Sequence, residues 1–337
     1  MNDVRAVIPE RCYQPSAARS TLAVIQGISL WLAPVVALVL TSASWWSVLF
    51  IGLVGMAVAG LFVLGHDASH GALYTSNKAN ALVARWCMVP SLHNESAWGF
   101  GHNRIHHGFT TRLGFDFVWQ PLSPAEFAAL SRFGRMRHRF EWSWLGSGAY
   151  YAREVWWNKM MFYRPEGKRA ATYRRDNWFM GLVGGSLAVV VGFVGLVQGG
   201  PLRALWLIAA TLLIPFAMFC QVIGWTVYVH HIDPKLLWWP RREWTQFKGQ
   251  MESTTVIDIP WVINKLWFHD IFVHMPHHVD PRISFYRLRE ASKAIETAFP
   301  GVVRHEGWNI GHYFAATRQC KLFDADERRW VKYPTTR

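Results

Sequence analysis

Charge is what this chain has least of. Only 17% of its 337 residues are Asp, Glu, Lys or Arg, against roughly 25% in an average soluble domain. The deficit falls in three places: none of the four residue types occurs from Ser20 to Gly65, from Asn177 to Leu202, or from Ala204 to His231. A membrane-crossing helix needs about 20 apolar residues, so the first stretch has length for two crossings and the others for one each. Cysteine is scarce too. Cys12, Cys87, Cys220 and Cys320 have no paired spacing, which argues against a disulfide framework, a thiolate metal site and a built-in iron–sulfur segment. Internal repeats, low-complexity tracts, long linkers, lipidation motifs and a recognisable haem module are also missing. Nothing reads nucleic-acid bases, so the net charge of +13 reads as membrane orientation and attraction to anionic headgroups.

What is present is 51% hydrophobic and 15% aromatic sequence. Spans are expected near Thr21–Leu40, Trp46–Leu64, Trp178–Val197 and Leu205–Val229. The apolar run ending at Leu40 is followed by small residues, as in a cleavable signal, but its length and the second span that follows favour a retained helix. The turn Thr41–Trp45 is uncharged and the turn 198–204 carries only Arg203. The positive-inside tendency therefore puts both termini and the segment 66–176 in the cytoplasm. Pro34 and Pro215 fall inside spans, where packing irregularity explains them. Between Phe140 and Tyr163, Trp142, Trp144, Tyr150, Tyr151, Trp156, Trp157 and Phe162 mix with Arg153, Glu154 and Lys159. That mixture fits a helix lying in the membrane surface or one packed within a cap.

Eight of the fifteen histidines form three clusters in the polar stretches: His66 and His70; His102, His106 and His107; His274, His277 and His278. Residues three or four apart share a helix face, so each cluster can aim two or three imidazoles at one point, and three such helices can surround a pair of metal ions. An even number of crossings separates the clusters, so all emerge on one membrane face. His231 closes the fourth span and can join them, with His230 left out and His269 read as structural. His93, His138, His305 and His312 have no ligand spacing. Asp67, Asn103, Asp116 and Asp270 are candidates to orient ligands. Acids are too few for a carboxylate-bridged site.

Gly65-His66-Asp67-Ala-Ser-His70-Gly71, His102-Asn-Arg-Ile-His106-His107 and His274-Met-Pro-His277-His278 resemble the three histidine boxes of the membrane fatty acid desaturase superfamily. Asp116-Phe-Val-Trp119-Gln-Pro121 and the run from His231 to Trp244 are similar to its acyl-lipid branch, and the likeness covers roughly Leu61 to Leu288. The resemblance implies an all-α integral membrane protein, a single domain over 1–337. Four transmembrane helices would carry a cytoplasmic helical cap, built from 65–177 and 230–337, that holds a di-iron site. It implies two non-haem irons on His66, His70, His102, His106, His107, His274, His277 and His278, with His231 as the extra ligand. O2 is then the co-substrate, a membrane lipid or acyl chain the substrate, and an external ferredoxin or cytochrome the electron source. Multi-pass placement in a bacterial inner membrane is expected; oligomeric state stays open.

Two departures bear on the product. The second cluster has three residues before its His-His pair where many acyl desaturases have two, a spacing shared with alkane hydroxylases. Some members carry Asn where Val227 stands, and the first cluster is also similar to that of carotenoid ketolases. Desaturation is the expected reaction, with hydroxylation, ketone formation or acetylenation at the same site as alternatives. A non-catalytic metal-binding or transport protein would need histidines or acids inside its spans, and the span interiors have none. Trp98, Phe100, Phe109, Phe115, Trp119 and Trp267 are candidates to line an acyl tunnel.

Overall fold

The computed structural model describes residues 1–41 and 43–334; Ser42, in the turn expected between the first two spans, lies outside them. Helix α1 (Ala17–Leu40) begins at Ser16, whose hydroxyl accepts from Arg19 N–H. Helix α2 (Trp46–Ser69) packs along it, with Gly27 set against Leu61 and Leu64. At 24 residues each, both reach about 36 Å. Helix α3 (Glu95–Phe100), capped by Asn94, runs into a π-helical turn over Gly101–His106. Helices α4 (Arg169–Ile208) and α5 (Ile214–His231) are joined by a second π turn, Ala209–Leu213. That turn sits just ahead of Pro215, whose missing N–H and bulky ring disturb the helix one turn before it. Short helices α6 (His274–Val279) and α7 (Leu288–Ala298) follow.

Among the described residues, three helical stretches are therefore long and apolar enough to cross a membrane: α1, α2 and the continuous Arg169–His231. The last is not straight. Gly199 and Gly200 leave the helical conformation, Gly200 at φ 77°, where any side chain would be strained. The chain folds back there, so Gly195 lies against Ala204 and Gly192 against Ile208. Arg203, just past the fold-back, donates to the carbonyls of Leu38, Val39 and Thr41 at 3.0, 3.2 and 2.6 Å. A cation on the open carbonyls of a helix C-terminus is favourable, and it fastens this turn to the end of α1.

The polar half departs from the all-helical expectation in two short ribbons. Thr255–Asp258 pairs in parallel with Arg304–Gly307, and Leu322–Asp324 pairs antiparallel with Arg329–Val331. Thr255, Val256 and Ile257 are β-branched, which favours a strand. The first ribbon aims α6, since Ile257 N–H donates to Phe272 O at 2.9 Å just before the third histidine cluster. From the other side the N-terminal segment straps α6. Val4, Ile8 and Cys12 are buried with Met275, Val279 and Ile295, and Arg5 Nε donates to Val279 O at 3.0 Å. The aromatic segment divides between its two expected roles: Trp142, Tyr150 and Tyr151 are buried, whereas Trp144, Trp157 and Phe162 are exposed.

Helix α5 delivers His231 and is seated by close backbone contact. A Cβ on Gly224 would collide with the Ser147 backbone, and one on Gly148 with Gln221. Gly224→Ala should therefore destabilise by about 1–3 kcal/mol through overpacking. Gly181→Ala, on α4 with nothing within 4 Å, should be neutral or slightly stabilising. Thermal unfolding of both variants in detergent checks this, and equal midpoints would refute the close packing.

Candidate metal centre

All nine histidines singled out as ligands converge, in two adjacent groups. His66, His70, His102, His107 and His277 form one; His106, His231, His274 and His278 form the other. Within each, one ring nitrogen per residue lies within 4.8 Å of all the rest. The groups abut: His107 stacks on His278 with ring centroids 4.3 Å apart, and His106 and His107 are 5.6 Å apart. His230 is in neither group. It stacks on His274 at 3.7 Å.

The second cluster does not present His102 and His106 to one side, as an α-helix would. The turn Gly101–His106 is a π helix, and His107 N–H donates to His102 O at 3.1 Å, five residues back. The extra residue rotates His102 and His107 into one group and leaves His106 to the other. The third cluster divides likewise, with His277 on one side and His274 and His278 on the other.

The donor atoms fit metal ions. His66 Nδ1 is 2.8 Å from Asp67 Oδ1; a carboxylate only accepts, so the proton sits on Nδ1 and the Nε2 lone pair is bare. That Nε2 lies 2.9 Å from His102 Nε2, which is also 3.1 Å from His107 Nε2. His102 Nε2 has one in-plane site, for either a proton or a lone pair, so with the bare Nε2 of His66 the two contacts cannot both be good hydrogen bonds. Two nitrogens bound at right angles to one ion at about 2.1 Å stand about 3.0 Å apart. In the other group His274 and His278 Nε2 are 2.9 Å apart. Nε2 of His70, His106, His231 and His277 is buried with no hydrogen-bond partner.

Neighbouring groups fix the tautomers. Asp116, fully buried, holds His106 Nδ1 at 3.0 and 3.1 Å and accepts from the N–H groups of Thr111 and Val118. Thr110 donates its hydroxyl proton to His106 O at 2.8 Å and so accepts from His278 Nδ1 at 3.0 Å. His231 Nδ1 faces Ser253 O at 3.3 Å. Asp67 and Asp116 thus hold candidate ligands in place; Asn103 and Asp270 touch none of the nine histidines. Asn103 bonds Ser69, tying the second cluster to the end of α2, and Asp270 bonds Asn264 and Arg289. Burial holds His102, His107, His274, His277 and His278 well below the ordinary histidine pKa of 6.5, in the neutral form a metal requires. His93, His138, His305 and His312 pair with other side chains outside the groups, and buried His269 packs on Phe285.

Beside the centre lies a narrow apolar slot of ≈ 40 Å³ lined by Trp225, Val229, Phe272, Trp308 and Tyr313, with Asp233, Arg304 and Glu306 among its polar residues. Phe272 touches His230 (5.3 Å), the ring that stacks on His274. None of the six aromatic residues expected in a tunnel lines it. Trp98 stacks on His102 at 4.3 Å, Trp119 on Tyr150 at 4.0 Å, and Phe109 lies against Phe115. Phe100 lies under Arg169, and Trp267 runs its backbone past Gly60. Trp225 could have been suspected from its place on α5, six residues before His231; Trp308 and Tyr313 carry no sequence signal.

The family model for fatty acid desaturases matches residues 40–308. The chain is 29% identical over 284 residues to the chloroplastic omega-6 fatty acid desaturase of Brassica napus, covering 81% of this chain and 59% of that protein. It is 28% identical over 278 residues to the sn-1 oleoyl-lipid 12-desaturase of Picosynechococcus sp., covering 81% and 76%. To the Anabaena variabilis protein of the same name it is 26% identical over 344 residues, covering 97% and 90%. The match thus spans less than two thirds of the plant protein's length.

Because His277 and His106 belong to different groups, His277→Ala and His106→Ala should each lower bound iron while membrane insertion stays intact. Full iron content by elemental analysis in either variant would remove that residue from the ligand set. Asp116→Asn should weaken metal retention by about 10–100-fold. The depressed pKa values also set a pH dependence. Above 6.5 neither folded nor unfolded imidazoles are protonated. Below it the unfolded chain takes up protons that the buried rings cannot, so stability falls as pH falls. The unfolding midpoint of metal-stripped protein should drop between about pH 7 and pH 5; a flat profile would contradict this.

Proposed function

The chain belongs to the fatty acid desaturase family, and on that premise we propose that it is a membrane enzyme that takes two hydrogens from adjacent methylenes of a lipid-bound acyl chain. The observation that carries this reading is the pair of abutting histidine groups with an apolar slot one ring away. We assign His66, His70, His102, His107 and His277 to one iron and His106, His231, His274 and His278 to the other. When bound, the irons supply the O2-dependent redox chemistry that an unactivated C–H bond requires. The chain's own work is positioning. Asp67, Asp116, Thr110 and Ser253 O keep the protons of His66, His106, His278 and His231 on the far ring nitrogen, so the near one stays free to bind. The slot would lie on the acyl path, with Trp225 and Phe272 setting which carbons lie beside the histidines.

Four crossings follow from reading the fold-back at Gly199–Gly200 as a turn between two spans, with both termini and the histidine-bearing half on the cytoplasmic side. The electrons would come from an external ferredoxin or cytochrome. Trp244 offers an entry: its Nε1 donates to Thr110 O at 2.8 Å, and the Thr110 hydroxyl meets His278. The exposed Arg241 and Arg242 lie just before it, a setting suited to an acidic carrier.

Two of the compared proteins are named for oleoyl lipid, so an oleoyl chain is the first substrate to test. Expression in a heterologous host followed by whole-lipid fatty acid profiling should yield a product lighter by two hydrogens. A product heavier by one oxygen would make the enzyme a hydroxylase, and no new product would overturn the reading for that lipid pool. Trp225→Ala should shift the double-bond position or preferred chain length while bound iron stays unchanged. An unaltered product profile would take Trp225 out of the acyl path.

A further inference from the structure

Away from the metal centre, the π-helical stretch Tyr151–Met161 ends and the chain turns through residues 162–168 into α4. This turn and the first turns of α4 expose Arg164, Lys168, Arg169, Arg174 and Arg175, with Glu166 the one exposed acid between them. Two of the cations are engaged: Arg169 lies 4.3 Å over the Phe100 ring, and Arg175 is 3.5 Å from Asp176. Arg164, Lys168 and Arg174 have no ion-pair partner among the described residues.

These residues border a cleft of ≈ 570 Å³ whose lining includes Phe162, Tyr163, Arg164, Tyr173, Arg174 and Asn177. Tyr173 is only 3% exposed, and its hydroxyl has no hydrogen-bond partner. Asn177 is a fixed wall, donating to Met161 O at 2.9 Å and accepting from Asn94 at 2.6 Å. The charge-free stretch begins at this level. Trp178 is 78% exposed, and Leu182 and Val189 continue an exposed apolar face down α4. Aromatic rings of this kind mark the headgroup level of a membrane.

We propose that this cleft binds the headgroup phosphate of an anionic phospholipid, with Arg164 and Arg174 on its oxygens, Tyr173 donating its hydroxyl, and the acyl chains along α4. Free cations beside a span select a net negative headgroup over a zwitterionic one, because the ammonium of the latter would meet arginine. A buried phenol hydroxyl without a partner, on a residue that lines the cleft, offers a donor that solvated surface arginines lack. The site is independent of the reaction proposed above and needs only that α4 enters the membrane at Trp178.

The test uses the full-length protein in neutral detergent and native mass spectrometry. The probes are dimyristoyl phosphatidylglycerol and dimyristoyl phosphatidylcholine, whose matched chains leave the headgroup as the difference. The phosphatidylglycerol adduct should be retained preferentially. Arg164→Ala with Arg174→Ala should reduce that preference by about tenfold or more. Tyr173→Phe, which keeps the ring and so the packing, should weaken phosphatidylglycerol retention severalfold and leave phosphatidylcholine unchanged. Unchanged iron content and lipid-free unfolding midpoint establish that the variants fold. Equal retention of the two lipids by the unaltered protein, or undiminished preference in both variants, would overturn the proposal. Displacement by inorganic phosphate at concentrations matching the lipid would overturn its assignment to a phospholipid.

Discussion

The rest of the structure depends on unshared electron pairs removed from water and aimed at one another. Nine imidazoles meet in the two groups, and the Nε2 atoms of four, His70, His106, His231 and His277, are buried with no hydrogen-bond partner. An unsatisfied buried polar group costs about 1–3 kcal/mol, so four together rival the whole stability of a domain. Apolar packing cannot relieve facing lone pairs; a cation between them can. Metal retention and folding should therefore be a single equilibrium in this half of the molecule. Each proton has to be parked on the outer nitrogen, which explains why buried Asp116 and Thr110 sit where they do.

The same requirement explains how the polar half is attached. Helices α2 and α5 end at the centre with last-turn carbonyls that have no partner within the helix. Elements carrying or aiming the other histidines cover them: Asn103 donates to Ser69 O, and Thr255 to Val229 O at 3.2 Å. Just past α2, Ser284 reaches Ala72 O at 2.6 Å. Satisfying the helix ends and assembling the ligand set are thus one act. The rigid apolar helices set the position of the centre, and the short polar elements close around it.

Much of this was legible in the residues. Charge-free stretches gave the long helices, the parity of crossings put the clusters together, and His231 was reachable from its place at the end of a span. The division of ligands was not legible, because it turns on a π turn. Helical spacing pairs His102 with His106, whereas a five-residue backbone bond pairs His102 with His107. The short ribbons are not legible because four β-branched residues between Ser253 and Asp258 are too brief a signal. Slot-lining residues were missed for a different cause. Trp308 and Tyr313 reach Trp225 only through the tertiary fold, while Trp98 and Trp119, expected in the tunnel, are occupied in stacking.

The N-terminal strap has a consequence for the order of assembly. Val4, Ile8 and Cys12 leave the ribosome well before the surface they cover, around Met275, Val279 and Ile295. Until that surface is made, the strap must wait with its apolar side chains uncovered, held near the membrane by α1. Its docking then coincides with the arrival of His274, His277 and His278, so burial of the strap would report that all three histidine clusters have been made. A nascent chain halted before α6 would display an undocked strap, the feature by which a membrane quality-control protease could tell an unfinished centre from a finished one.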